Sequence, residues 1–245
     1  MSKSTIKVDL YCKIADILRQ EILENKIPEG THFNESALAE RFGVSRGPVR
    51  EALRCLEREG FATTQPSGRT ISNSFSSSDI QYYYNMRTYI ESESIRKILS
   101  ESETPDYGDW IKQLEEILAQ SKIYLDRNDE NRFVQLDSEF HLAILTRANI
   151  KIHLIMWEML NNITLSIMEI NRKHILDKQL HNLSITYAFH DSILHGLRRR
   201  DVDYTLANLQ THLKNGIIVY AEIIDIITNI TSESSPVIKA SGPEA

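Results

Sequence analysis

Four side chains in the later part of this 245-residue chain have the types and spacing to share one metal ion. Asp137 and His141 stand four apart in DSEFHLAIL, a segment with helical patterning, so both project from one helix face. A carboxylate and an imidazole at that spacing can ligate the same cation. His190 and His212 lie eleven residues on either side of position 201. If their helices pack antiparallel about a short connection at Arg199–Asp203, the two imidazoles stand at similar heights and face one core. The set Asp137, His141, His190 and His212 then suits a divalent ion such as zinc or nickel. The plainer alternative is that these are ordinary core or surface histidines of a helical protein.

A second constellation is built for nucleic acid. Residues 35–58 read as two short helices joined by a tight turn. Asn34 is placed to cap Glu35–Phe42. Gly43 stands where a left-handed residue ends a helix at no steric cost. Ser45 is placed to cap a second helix near Arg46–Glu59, with Pro48 tolerated in its first turn. Val49, Ala52, Leu53 and Leu56 form its core face. Arg46, Arg50 and Arg54 form a row beside them. Guanidinium groups on a short helix suit the DNA major groove, where arginine reads guanine bidentately and also binds phosphate. Glu51, Glu57 and Glu59 leave open the reading of a solvated, mixed-charge face.

The elements that must position these residues are nearly all helical. The hydrophobic share of 41% and charged share of 25% are those of an ordinary globular chain of one or two domains. The net charge of −6 divides unevenly: residues 1–75 hold 11 basic and 10 acidic side chains, and the remainder 17 and 24. DNA binding by the first part must therefore rest on local arginine placement rather than on a strongly basic domain. The two cysteines, Cys12 and Cys55, fall in helical segments and read as reduced, core or semi-buried residues. No apolar run reaches membrane-spanning length, and MSKSTIKVDLYCKI lacks the apolar stretch of a signal peptide, so a cytoplasmic protein is expected.

Taken in order, residues 1–8 read as a loose arm and Asp9–Asn25 as an amphipathic helix with Ile14, Ile17, Leu18 and Ile22 inward. After the two motif helices, Phe61–Gln65 and Arg69–Ser72 flank the turn Pro66-Ser67-Gly68 as a β-hairpin. The expected domains are a winged helix-turn-helix over 1–73, a serine-rich linker over 74–78, an all-helical bundle of about six helices over 79–229, and a disordered tail over 230–245. The bundle helices are placed near 79–101, 107–127, 129–148, 151–171, 177–199 and 201–229, with Asp201 capping the last.

The succession Leu38-Ala39, Gly43-Val44-Ser45-Arg46 and Pro48-Val49-Arg50-Glu51-Ala52-Leu53 closely resembles the winged helix-turn-helix of the GntR family of bacterial transcription regulators, over about residues 9–73. The resemblance implies that the second motif helix enters the major groove, with Ser45, Arg46, Gly47 and Arg50 contacting DNA, and that the wing brings Gly68 and Arg69 to the minor groove. Some relatives place a further DNA-contacting arginine where this chain has Ser36, so that contact is not carried over. DSEFH, the later FHDSILHGLRRRD and the following HL pair resemble the FCD domain of the FadR subfamily. Many such domains hold a divalent metal on one aspartate and three histidines, at positions matching Asp137, His141, His190 and His212. His153, His174, His181 and His195 do not match and read as surface or packing residues. Arg87 resembles an arginine that relatives aim into the cavity, where it would hold a small carboxylate effector. An ion pair with Glu91, four residues on, is the competing role. One residue of the triplet Tyr82-Tyr83-Tyr84, at least, must face inward.

These features point to a ligand-responsive regulator, acting as a homodimer on a palindromic double-stranded operator, with no membrane partner. Repression is the family's commoner habit. Two alternatives use the same residues. The metal itself could be the signal, or a metal-dependent hydrolytic enzyme could use the DNA-binding head for localisation. The enzyme reading lacks a base beside the ligands, since Glu139 falls on another face from Asp137, and the chain is not expected to be an enzyme.

Overall fold

The computed structural model describes residues 3–102, 106–174 and 183–216, and the outer part of the last expected helix and the expected tail lie outside them. Within that range the mostly helical architecture with a small hairpin is what the chain adopts. Helix α1 (Lys3–Leu23) precedes the motif pair α2 (Glu35–Phe42) and α3 (Arg46–Arg58). Its start at Lys3 corrects the expectation of a loose arm, and neither proline nor glycine interrupts the segment through Leu23. Ile14, Ala15, Leu18 and Ile22 are buried along α1, but Ile17 is 41% exposed and leaves the expected inward set. The buried stripe runs through Ala15 and Leu18, so Ile17 turns away on the far side of the helix. Cys55 is half-buried, whereas Cys12 is exposed, one position pair before the buried stripe begins.

The helix-turn-helix closes as its residue types require. Asn34 Oδ1 accepts from the N–H groups of Ser36 and Ala37 at 2.9 and 3.1 Å. Gly43 ends α2 in the left-handed region at φ 64°. Val49, Ala52, Leu53 and Leu56 are buried as one apolar face against α1. Ser45 occupies the N-cap position with extended backbone, but its side chain makes no capping hydrogen bond. Strands β1 (Ala62–Thr64) and β2 (Thr70–Ser72) pair antiparallel, with Thr63 opposite Ile71. A third extended segment, not expected, adds to the edge of β2. His32 bridges Ile71, Phe33 N–H donates to Thr70 O at 2.9 Å, and Ser72 N–H donates to Thr31 O at 3.0 Å. The backbone groups of β2 are thus satisfied on both sides.

Helix α4 (Ser77–Ser100) begins inside the serine-rich segment. Ser76 and Asp79 form a reciprocal capping box, which turns part of that segment into a helix start. Helices α5 (Tyr107–Asp126), α6 (Glu130–Ala148), α7 (Lys151–His174) and α8 (Leu183–Arg199) follow, and a further helix, α9, covers 202–216. α6 packs between α4, α5 and α7, and α8 lies on α5. Tyr107 Oη donates to Leu197 O at 2.6 Å and Trp110 Nε1 to Ala143 O at 3.2 Å, pinning α5 to α8 and α6.

The α8–α9 corner is tight. Arg200 takes the left-handed conformation at φ 54°, and Asp201 caps α9 by accepting from Tyr204 N–H at 3.0 Å. Gly196 lies so close to Thr205 that a methyl group at Gly196 would collide with Thr205 Oγ1. Only glycine permits that approach.

Head and bundle touch through buried charge. Arg19 on α1 is 3% exposed, and its Nε and Nη2 donate to Glu59 Oε2 at 2.9 and 2.6 Å. Asn162 Nδ2 of α7 donates to Glu59 Oε1 at 2.7 Å. Glu59 is the residue that ends α3, so the motif helix is tied directly to the bundle.

Candidate metal centre and nucleic-acid interface

Four bundle helices bring ionisable side chains to one buried point. α6 supplies Asp137 and His141 on one face, α8 supplies His190 and α9 supplies His212. One ligand atom from each of these four lies within 4.8 Å of every other. Asp137, His141 and His190 are buried, and His212 is half-buried at the rim. His141 Nε2 stands 3.2 Å from His212 Nε2 and 3.1 Å from His190 Nε2, and His190 Nε2 stands 3.4 Å from Asp137 Oδ1. Ligand atoms about 2.0–2.1 Å from a shared ion are themselves roughly 3 Å apart, so these spacings fit one cation at the centre.

The donor chemistry fits as well. Burial, then neighbouring positive charge, pushes the imidazoles of His190 and His212 well below their ordinary range, which leaves them neutral and able to ligate. Asp137 Oδ1 is buried without a hydrogen-bond partner, an orphan that a cation would satisfy. Burial raises the Asp137 carboxyl, with His141 and Arg87 acting against it.

Helix α4 supplies the shell behind these residues. Glu91 Oε2 lies 2.6 Å from His141 Nδ1, and Glu91 Oε1 accepts from Arg87 Nε at 2.9 Å. Burial alone would raise Glu91, but His141 and Arg87 outweigh it and hold the carboxyl down at about 2. An ionised Glu91 accepts the Nδ1 proton of His141 and turns its Nε2 lone pair toward the cluster, the usual carboxylate–histidine arrangement behind a metal. Of the two roles considered for Arg87, the ion pair with Glu91 is present. The Arg87 side chain also donates Nη1 to Thr164 Oγ1 at 3.2 Å and sits 5.0 Å from the Trp157 ring centroid. Its Nη2 is buried with no hydrogen-bond partner. The sequence showed Glu91 only as a possible partner of Arg87. Its bond to His141 is a contact between α4 and α6 that spacing along the chain does not reveal.

The tyrosine triplet divides as helical geometry requires. Tyr82 is exposed, while Tyr83 and Tyr84 are buried. Tyr83 Oη donates to Leu160 O at 2.8 Å and contacts Thr164 Oγ1, which touches Arg87 in turn. His153 packs against Ser94, with Nδ1 2.9 Å from Ser94 Oγ, and His195 lies near Tyr204 at the surface. The side chains of His174 and His181 are outside the described residues. Glu139 is exposed and pairs with Arg132, away from the cluster.

On the head, Ser45, Arg46, Gly47, Arg50, Gly68 and Arg69 are all exposed. A methyl group on Gly47 would meet only Ser45 Oγ at 3.9 Å, so internal packing does not demand glycine there. Gly68 holds φ 79° at the wing tip, where the turn does demand it. Arg54 pairs with Glu51 one turn away at 2.9 Å. Arg50 reaches off its own helix to Glu35 at the start of α2, with Nε–Oε1 3.0 Å and Nη2–Oε2 2.8 Å. That cross-helix pair was not expected.

A helix-turn-helix head with a wing, joined to a helical bundle that gathers metal-ligating side chains, defines a regulator class rather than an enzyme class. Residues 10–71 match the bacterial regulatory proteins of the gntR family, and residues 82–215 match the FCD domain. The chain belongs to that family: it is a transcription regulator of the GntR type carrying an FCD domain. It is 26% identical over 224 residues to the HTH-type transcriptional repressor RspR of Escherichia coli K12, covering 91% of each chain. A shorter match, 28% over 131 residues, spans 54% of this chain and 57% of the HTH-type transcriptional regulator YdhC of Bacillus subtilis. Among solved structures, E. coli McbR/YncC shares the fold with a TM-score of 0.59 at 20% identity, covering 91% of this chain and 97% of that one. Among the described residues no helix is long and apolar enough to cross a membrane.

Proposed function

We propose that this chain is an effector-responsive repressor that binds a palindromic operator as a homodimer and senses a small organic acid at a divalent metal site in its helical domain. The observation that carries this reading is the convergence of Asp137, His141, His190 and His212 beside the unpaired Nη2 of Arg87. An ion that takes five or six donors keeps positions open beyond these four protein ligands, and such an ion gives a carboxylate oxygen a strong fixed charge in a dry cavity. Arg87 supplies the second, charge-assisted contact to the same carboxylate. RspR is named a repressor, which favours repression here.

The exposed Ser45, Arg46, Gly47 and Arg50 read the major groove and Gly68 with Arg69 approaches the minor groove. One short recognition helix covers few base pairs, so two heads ~34 Å apart are needed for a palindrome. A face for the second copy is at hand. Tyr82, Met86 and Tyr89 on α4, and Ile152, Ile155 and Met159 on α7, are exposed large apolar residues at helical spacing on two helices in mutual contact. An effector then acts by favouring one arrangement of the two heads over another.

Elemental analysis of the purified, dialysed protein tests the site, with wild type and His212→Ala measured together. One divalent ion per chain, lost in the variant, supports it. Equal metal content in both sinks the assignment. Operator titration with added small carboxylates tests the response, and an affinity unmoved by every acid counts against it.

A further inference from the structure

We infer that Glu35 is a positioning and specificity-determining residue for DNA recognition: it holds the guanidinium of Arg50 so that its outer edge faces a guanine. The inference rests on the proposed reading of Arg50 as a DNA contact and adds to it what aims that contact.

Glu35 opens α2, and Asn34 caps that helix immediately before it, so its backbone is held. Its carboxylate takes the Nε and Nη2 edge of Arg50 in a two-point contact at 3.0 and 2.8 Å. Guanidinium has five N–H donors in a rigid plane. With the Nε edge engaged, the outward edge formed by Nη1 and the second Nη2 hydrogen remains, and two parallel donors are what guanine O6 and N7 require. The pair is open to solvent, with side-chain exposures of 56% for Arg50 and 33% for Glu35. Exposed pairs of this kind contribute little to stability. Arg54 differs, since its partner lies on its own helix; Arg50 is the one of the two bridged to α2.

The carboxylate has a second effect. The head carries nearly balanced charge. A fixed anion behind Arg50 cancels much of its attraction for phosphate at an arbitrary sequence while leaving its hydrogen bonds to a base edge intact. Glu35 thereby trades general DNA affinity for discrimination.

The experiment selects preferred sites from a random duplex library with the full-length chain as wild type, Arg50→Ala, Glu35→Gln and Glu35→Asp, and then measures affinity for selected and random duplexes across salt concentration. Arg50→Ala should relax one guanine position in each half-site. Glu35→Gln should relax that same position, roughly 5- to 100-fold in discrimination, while random-duplex binding tightens and its salt slope steepens by about one. Glu35→Asp keeps the charge but shortens the reach, so it should relax the position without steepening the slope. Thermal melts of the Glu35 variants should match wild type. If Arg50→Ala relaxes a position that Glu35→Gln leaves unchanged, the role given to Glu35 is overturned while the reading of Arg50 stands. If Arg50→Ala changes no position, or wild type enriches no site, both fall.

Discussion

Glu91 is the side chain through which the polar centre of the bundle is organised, since it touches both His141 and Arg87. Its burial makes the centre sensitive to acid in two stages. His190 and His212 have folded-state values pushed below their ordinary range by burial, so the unfolded chain takes up protons first as pH falls. Stability held by keeping them neutral is therefore lost as pH drops below about 6.5. Glu91 is depressed to about 2, so its contribution is full above its unfolded value of about 4.3 and is lost as pH falls from there toward 2. For protein kept in chelator, we expect the melting temperature to fall from pH 7 to 5 and again below pH 4.3. His190→Phe should flatten the first of these limbs, and a pH-independent melting temperature would refute the assignment. On the head, Arg46→Ala should weaken operator binding by ~1–3 kcal/mol with the melting temperature unchanged, as measured by titration of a selected site.

At the scale of the element, α7 has a double attachment. Trp157 and Thr164 stand against Arg87, while Asn162 between them holds Glu59 at the end of α3. Asn162→Ala leaves Glu59 Oε1 short of one partner in a part-buried site, and we expect a loss of about 1 kcal/mol in thermal unfolding. Proteolysis near residues 73–76 should quicken as the head loosens, and an unchanged digestion rate would show that the tie does not hold the head. This tie was hidden in the sequence because Arg19, Glu59 and Asn162 lie on three separate elements and look like surface residues singly. The helices themselves were legible. Asn34, Gly43, Pro48 and Asp201 are types with a local conformational preference, and each sits where that preference acts. Asp137 and His141 were legible by spacing within one helix, and His190 and His212 by symmetry about a turn. Glu91 and Glu35 were not, because each acts across helices through a partner that local pattern does not name. The pairing of Thr31 and Phe33 with β2 was missed for a related reason, since a short edge segment leaves no alternation long enough to read.

For the whole molecule, the apolar face shared by α4 and α7 makes the association of two chains the central expectation. Tyr89→Asp or Ile155→Asp places a charge in that face, and sedimentation should then report a monomer with unchanged helical content. Operator affinity should fall with it, because a single head reads too little sequence. A dimer that survives both substitutions would move the interface elsewhere. Removal of everything after Ser74 makes the complementary test: the head should remain folded through its own core of Leu18, Val49, Leu56 and Phe61 and bind the operator poorly.

The tight corner between α8 and α9 has a consequence for how this chain can vary. The two histidines of the hairpin meet because equal lengths of helix run from a fixed corner, which Gly196, Arg200 and Asp201 hold closed. Each added or deleted residue there would turn α9 by about 100° and slide it by about 1.5 Å relative to α8, carrying His212 away from His190 though neither was touched. Surface corners ordinarily tolerate such length changes freely. This one should not: its residue count is as much a part of the buried cluster as the imidazoles, and relatives that keep the four side chains should keep the length of the corner with them.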